Sequence, residues 1–255
     1  MDKKIITSNF SRYAHLYDKY ADVQKRVALE ILSQIEGDKF NKVLEIGCGT
    51  GNYTILLRKQ LKEAKITAID ISPKMIEVAQ DKLKDKSVEF IVGDAESGHF
   101  PANQYDLVTS NACFQWFEDL ERALEKYRAL LKKRGAILFS IFGPLTFWEL
   151  NTALGSVLKN TPIAASNFID KNDIIRILGN NFNELKIKEL KYEESFGSLL
   201  ALLNKIKYTG ARGNGLGNKI SFSVRYLKEI EKAYLSKFRQ IKATYQVFSC
   251  WGTAQ

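Results

Sequence analysis

The chain has 255 residues, 45% of them hydrophobic and 26% charged, enough apolar material for one large domain with its own core. No apolar run is long enough to cross a bilayer, and the N-terminal MDKKIITSNF lacks a signal-type apolar stretch. Three widely spaced cysteines (Cys48, Cys113 and Cys250) have no metal-ligand grouping, so a reduced, cytoplasmic setting without a metal is expected.

The formal charge of +9 is uneven. Residues 1–140 carry +2 and residues 141–255 carry +7, and within 205–242 ten basic residues are set against only Glu229 and Glu231. Such a segment is either a solvated helix face or a docking surface for an acidic partner.

In chain order, Phe10, Tyr13, Tyr17, Tyr20, Gln24, Val27, Ile31 and Ile35 recur at helical spacing and predict one helix from about Ser8 to Ile35. A strand over 42–46 enters a glycine turn, followed by a helix over about 52–62. Strand 65–70 leads to Ser72-Pro73, an N-cap with proline at the first helical position, and a helix to about Leu83. Strands follow over 88–92 and 105–110, then a helix over about 119–132. Strand 136–142 is apolar throughout, as a strand buried on both faces should be. This alternation predicts an α/β, Rossmann-like domain whose parallel sheet is covered on both sides. Beyond Pro144, residues 145–180 read as helical, 185–193 as a strand and 197–207 as a helix. The glycine-rich stretch 208–218 is read as a mobile connection, followed by a basic helix over 222–240 and a closing strand over 243–251. The whole chain is expected to form one domain, with a cap helix over about 8–35 and lid insertions over about 145–180 and 197–240.

The strongest chemical signal is VLEIGCGTGNYT over 43–54. Glu45, Gly47, Cys48, Gly49 and Gly51 lie where a strand ends and a helix begins, and glycines there let backbone approach a ligand closely. Asp70, Asp94 and Asn111 end the next three strands, at the carboxyl edge where open α/β sheets bind ligands. Asp70 can accept two ribose hydroxyls and Asp94 an adenine amino group, although either could merely cap the helix after it. In order and spacing these residues resemble the seven-stranded class I methyltransferases, whose sheet is mostly parallel with an antiparallel C-terminal strand. That resemblance implies S-adenosylmethionine as cofactor, with Glu45 near its methionine end, Asp70 on the ribose, and Asp94 at the adenine. Ile71, Met75, Ala95, Glu96, Asn111 and Gln115 would complete the site.

Outside that core, FSRYAHLYDKYADVQ (10–24) is similar to the first helix of the malonyl-acyl-carrier-protein O-methyltransferases of biotin synthesis. So are Ser110-Asn111-Ala112 with Gln115-Trp116, Ile206-Lys207 with Thr209-Gly210-Ala211, and Thr244-Tyr245. The resemblance runs from about residue 8 to 250. It implies methylation of the free carboxylate of a malonyl group on acyl carrier protein or coenzyme A. Tyr17 would position the reactants, and Arg12, Trp116, Lys207, Thr209 and Tyr245 would contact the substrate. An acidic carrier protein would dock on the basic segment 205–242. A malonyl carboxylate is ionised at pH 7 and needs no general base, which agrees with only two histidines, His15 and His99, neither in a dyad. Another small carboxylic acid could be the acceptor on the same core. Nucleic acid is disfavoured, because Asn111-Ala112-Cys113-Phe114 replaces the Asn-Pro-Pro-Tyr-type tetrad and no RNA-binding module is recognisable.

Overall fold

A computed structural model describes residues 2–35, 40–158, 162–210 and 224–254. Five parallel strands carry the first half: β1 (Lys42–Ile46), β2 (Lys65–Asp70), β3 (Val88–Val92), β4 (Tyr105–Asn111) and β5 (Leu131–Phe142). β6 (Asn183–Phe196) and β7 (Ile241–Thr253) complete a seven-stranded sheet in the order β3-β2-β1-β4-β5-β7-β6. β7 is antiparallel to both of its neighbours. The order reverses between β1 and β4, the switch point that leaves a crevice at the strands' carboxyl ends.

Alternate residues of β5 serve the two faces of this sheet. Ile137, Phe139 and Ile141 pack with Tyr127 of α5 (Leu120–Leu130) and Leu178 of α7 (Lys171–Asn181). Ala136 and Leu138 pack on the other face with Ile31 of α2 (Asp22–Leu32) and Leu57 of α3 (Asn52–Gln60). A third cluster joins α6 (Trp148–Val157), α8 (Leu199–Tyr208) and α9 (Val224–Phe238) to β7 through Leu150, Leu202, Tyr234 and Tyr245. Among the described residues no helix is long and apolar enough to cross a membrane.

The structure departs from the sequence expectation in four places. The first helix is two, α1 (Lys3–Tyr20) and α2, broken at Ala21 (φ −91°, ψ 39°), which is fully buried. The break lets α1 lie over α4 (Pro73–Lys82) and α8 while α2 turns to pack on the sheet. α1 also begins earlier than Ser8, because the Asp2 carboxylate caps it by accepting from the Lys4 N–H at 2.8 Å. β5 begins at Leu131, directly after α5, and residues 145–180 form α6, a 3-10 turn (Ala164–Asn167) and α7. The glycine-rich stretch from residue 211 and the predicted helix before Val224 lie outside the described residues.

Candidate active site

The glycine turn between β1 and α3 is fixed by its neighbours. Gly47, Gly49 and Gly51 all have positive φ (68°, 54° and 78°), a conformation in which a side chain is strained. The Gly47 and Cys48 N–H groups donate to the Ile69 carbonyl of β2 at 2.8 and 3.1 Å. A Cβ on Gly47 would stand 2.2 Å from Cys113 Sγ, whereas one on Gly49 would meet nothing within 4 Å. Gly47 is therefore required by packing, and Gly49 leaves open space in a crevice lined also by Asp70, Asp94 and Asn111.

Three carboxylates surround that turn in different electrostatic states. Asp70 accepts from the Gly49 N–H (2.9 Å) and the Ser72 N–H (2.8 Å). Burial raises its carboxyl above the ordinary range, and these two donors oppose the rise. Glu45 is 1% exposed, and its Oε2 has no hydrogen-bond partner. Burial pushes its carboxyl up to about 8, the neighbouring Thr54 hydroxyl opposes the rise, and the Asp70 charge adds to it. For Asp94 burial is outweighed. Lys3 Nζ at 2.7 Å, the Glu96 N–H at 3.0 Å and Ser97 Oγ at 3.0 Å hold it below its ordinary value. Lys3 also pairs with Glu96 at 2.7 Å, and Glu96 accepts from the Glu118 and Asp119 N–H groups.

The remaining wall is apolar and comes largely from α1. Phe10 packs on Tyr17 (6.4 Å between centroids) and edge-on to Trp116 (6.0 Å), and Trp116 meets Phe168 (5.6 Å). Burial, then the charges of Asp70 and Asp18, hold the Tyr17 phenol well above its usual range, so it stays a hydrogen-bond donor at neutral pH. Across the crevice Ala112 has φ 53°, a strained angle for a residue with a Cβ. Its N–H donates to Ser140 Oγ (2.9 Å), and its carbonyl accepts from Gln115 Nε2 (2.7 Å). Asn111 is held by Ser140 Oγ, which donates to its Oδ1 at 2.9 Å, and donates to the Gln24 carbonyl at 3.0 Å.

The crevice thus brings together Tyr17, Gly47, Gly49, Asp70, Ile71, Met75, Asp94, Ala95, Glu96, Asn111 and Trp116 of the residues expected from sequence. Others stand elsewhere. Glu45 and Cys48 are buried beside the turn, Gly51 begins α3, and Gln115 braces the Ala112 strain from behind. Arg12, His15 and His99 are exposed. Lys207 stacks over Tyr13 and Tyr208, Thr209 Oγ1 bonds the Lys205 carbonyl of its own helix (2.9 Å), and the Tyr245 hydroxyl donates to Glu194 (2.8 Å). None of these last three lines the crevice: Thr209 closes the end of α8, Tyr245 ties β7 to β6, and Lys207 lies over rings of α1 and α8.

Sequence reasoning missed Lys3, the role of Phe10 as a wall, and Asp18. The Asp18 carboxylate accepts from Thr50 Oγ1 (2.6 Å), Asn52 Nδ2 (2.8 Å) and Lys82 Nζ (2.7 Å), fastening α1 to the glycine turn and α4. Ser11 and Ser72 share a second bond between the same helices at 2.8 Å. The one available signal was the aromatic row along α1, which is too rich for a purely solvent-facing cap.

Among known proteins, a family profile described as a methyltransferase domain matches residues 44–139. The chain is 38% identical to malonyl-acyl-carrier-protein O-methyltransferase 1 of Ilyobacter polytropus, over 93% of this chain and 88% of that protein. It is 35% identical to the malonyl-acyl-carrier-protein O-methyltransferase of Acetivibrio thermocellus, over 96% and 92%. Among solved structures, the YcgJ protein of Bacillus subtilis superposes with a TM-score of 0.63 at 16% identity, covering 90% of this chain and 98% of that one. A Haemonchus contortus phosphoethanolamine N-methyltransferase 2, solved with S-adenosyl-L-methionine, gives 0.58 at 20% identity over 89% and 52%. The structural likenesses establish the fold and the sequence likenesses the family: this chain is a class I methyltransferase that belongs to the malonyl-acyl-carrier-protein O-methyltransferase family.

Proposed function

We propose that this enzyme transfers a methyl group from S-adenosylmethionine to the free carboxylate of a malonyl thioester carried by acyl carrier protein, in the cytoplasm, as the priming step of pimelate synthesis for biotin. The observation that carries the cofactor half is the pairing of an open cradle with unsatisfied acid. Space at Gly49 and the unpartnered Glu45 Oε2 both suit a ligand that brings its own cation. Asp70 would accept the ribose hydroxyls, Asp94 the adenine amino group, and Glu45 the ammonium end. When bound, the cofactor supplies a methyl group on positively charged sulfur, which a carboxylate oxygen takes while the electrons of the broken carbon–sulfur bond stay on sulfur.

The protein's own contribution is placement and dryness. Phe10, Tyr17 and Trp116 make an apolar wall where the acceptor would lie, which strips water from the carboxylate. The protonated Tyr17 phenol can orient that carboxylate without neutralising it, as a nearby ammonium would. No proton has to move, so no general base is needed, and orientation alone can supply roughly 7–11 kcal/mol.

The partner half is supported by α9 and the residue that follows it. Lys228, Lys232, Lys237 and Arg239 are all exposed and have no ion-pair partner among the described residues, whereas Arg225 pairs with Glu229. Lys228 and Lys232 are one helical turn apart, so they present charge on one side of the helix, a face suited to an acidic carrier protein. Labelled S-adenosylmethionine incubated with the purified enzyme should pass label to malonyl-carrier protein. Transfer to another acceptor, with none to malonyl-carrier protein or malonyl-coenzyme A, would overturn the assignment.

A further inference from the structure

A second cluster, of aromatic rings and a cation, lies beside the crevice where α1 meets the end of α8. Tyr208 packs edge-on to Tyr13 (5.3 Å between centroids) and against Tyr20 (4.7 Å). The Lys207 ammonium stands 5.4 and 5.3 Å from the Tyr13 and Tyr208 ring centroids. All four side chains are half-buried, and none of the three phenols has a hydrogen-bond partner among the described residues.

Lys205, two residues earlier, shows what a structural lysine looks like in this helix. It is 6% exposed and paired with both Asp22 (3.0 Å) and Glu194 (2.8 Å). Lys207 has no carboxylate partner among the described residues. The rings hold its ammonium by cation–π attraction without cancelling its charge. An ammonium and phenolic donors with no polar partner among the described residues form a recognition set for a phosphate, to which lysine binds as a point charge.

The cluster is joined to the crevice through α1, which carries Tyr13 and Tyr20 as well as Phe10 and Tyr17 and packs on α8. Gly210, at φ 67°, ends α8 so close to Phe10 that an added Cβ would lie 2.4 Å from its ring. Phe10 in turn packs on Tyr17 and Trp116 in the crevice wall. Cluster and crevice therefore lie along the same helix, with the end of α8 against the ring that begins the crevice wall.

We infer that Lys207, Tyr13 and Tyr208 bind the phosphodiester of the carrier protein's phosphopantetheine arm, while the malonyl end passes Phe10 and Tyr17 into the crevice. The inference rests on the malonyl-thioester function proposed above. The phosphodiester is the one charged group between carrier and thioester. A cation on the rim can grip it without touching the nucleophilic carboxylate, which explains why Lys207 stands outside the crevice.

Malonyl-pantetheine, which keeps the thioester and arm but lacks the phosphate, provides the test. Lys207→Met should raise KM for malonyl-carrier protein about tenfold or more at unchanged kcat, and leave KM for malonyl-pantetheine where it was. Lys207→Arg should restore most of the loss, and Tyr13→Phe should give a smaller shift of the same kind. Equal rises for both substrates, or none for either, overturn the inference while leaving the malonyl function standing. A wild-type enzyme that methylates neither substrate overturns both. Calorimetric binding of S-adenosylmethionine by Lys207→Met reports whether that variant is folded. If it is not, Tyr13→Phe and Tyr208→Phe carry the same comparison.

Discussion

The carboxyl edge of the sheet and the late helical layer treat polar groups in opposite ways. At the edge, Glu45 keeps an orphaned oxygen and Gly49 leaves open space, and the Tyr17 phenol has no described partner. In the layer formed by α6, α8 and α9 over β7, buried polar groups satisfy one another. Glu149, fully buried in α6, accepts from both the N–H and the hydroxyl of Thr244. The Tyr234 hydroxyl donates to the Lys242 carbonyl, and Lys205, Glu194 and Tyr245 form a closed chain. Beside its paired carboxylates the edge leaves some valences unfilled, whereas the layer fills those of its buried groups. By that criterion Thr209 and Tyr245 belong to the scaffold and Lys207 does not.

The largest effect that sharpens this contrast should come from Asp70→Ala. Losing hydrogen bonds to a charged acceptor, each worth about 1.5–3 kcal/mol, should weaken S-adenosylmethionine binding about a hundredfold in calorimetry. The drop in melting temperature should be smaller, because the Gly49 and Ser72 N–H groups lose their acceptor at a half-buried site. Glu149→Ala should do the reverse. Unfolding free energy from denaturant titration should drop by about 2–4 kcal/mol, since both Thr244 bonds go and a buried donor is orphaned. Cofactor affinity of the folded fraction should stay put, and a parallel loss of affinity would break the distinction.

Glu45 gives a pH test of the unfilled valence. Its folded carboxyl is raised from 4.5 to about 8, so the folded chain holds a proton that the unfolded chain has lost. Its contribution to stability is therefore fully present below about pH 4.5 and disappears as pH rises toward 8. A cationic ligand should favour the ionised form and expel that proton. At pH 7, calorimetry in buffers of different ionisation enthalpy should register release of up to one proton on cofactor binding, abolished in Glu45→Gln. Binding with no proton release would mean that Glu45 does not meet the cation. The smallest effect belongs to α9. Reversing Lys228 and Lys232 to Glu should raise KM for malonyl-carrier protein several-fold, more at low salt, and leave cofactor affinity unchanged.

Most of the edge was legible in the sequence because strand–helix alternation fixes which residues stand at strand ends. Asp70, Asp94 and Asn111 needed only that count, and the glycine turn announced itself. What was illegible depended on distance in space. The break at Ala21 hides inside an unbroken helical periodicity, because it is set by α2 turning onto the sheet and not by any breaker residue. The Lys3 bridge and the Asp18 clamp join residues 91 and at least 32 positions apart, with no local signature. The Thr-Gly pair at 209–210 was visible as a pattern, but its purpose, a helix end docked on Phe10, is visible only from the packing.

The Lys3 bridge also bears on how the protein is handled. Lys3 grips Asp94 and Glu96 in the crevice wall, so a purification tag fused just ahead of it would sit against the crevice. Ala254 lies at the opposite rim of the sheet, where its N–H bonds the Gly135 carbonyl and Thr253 pairs with Asn183 at the start of β6. Fusing tags, fluorophores or surface-immobilisation handles there keeps them clear of the chemistry.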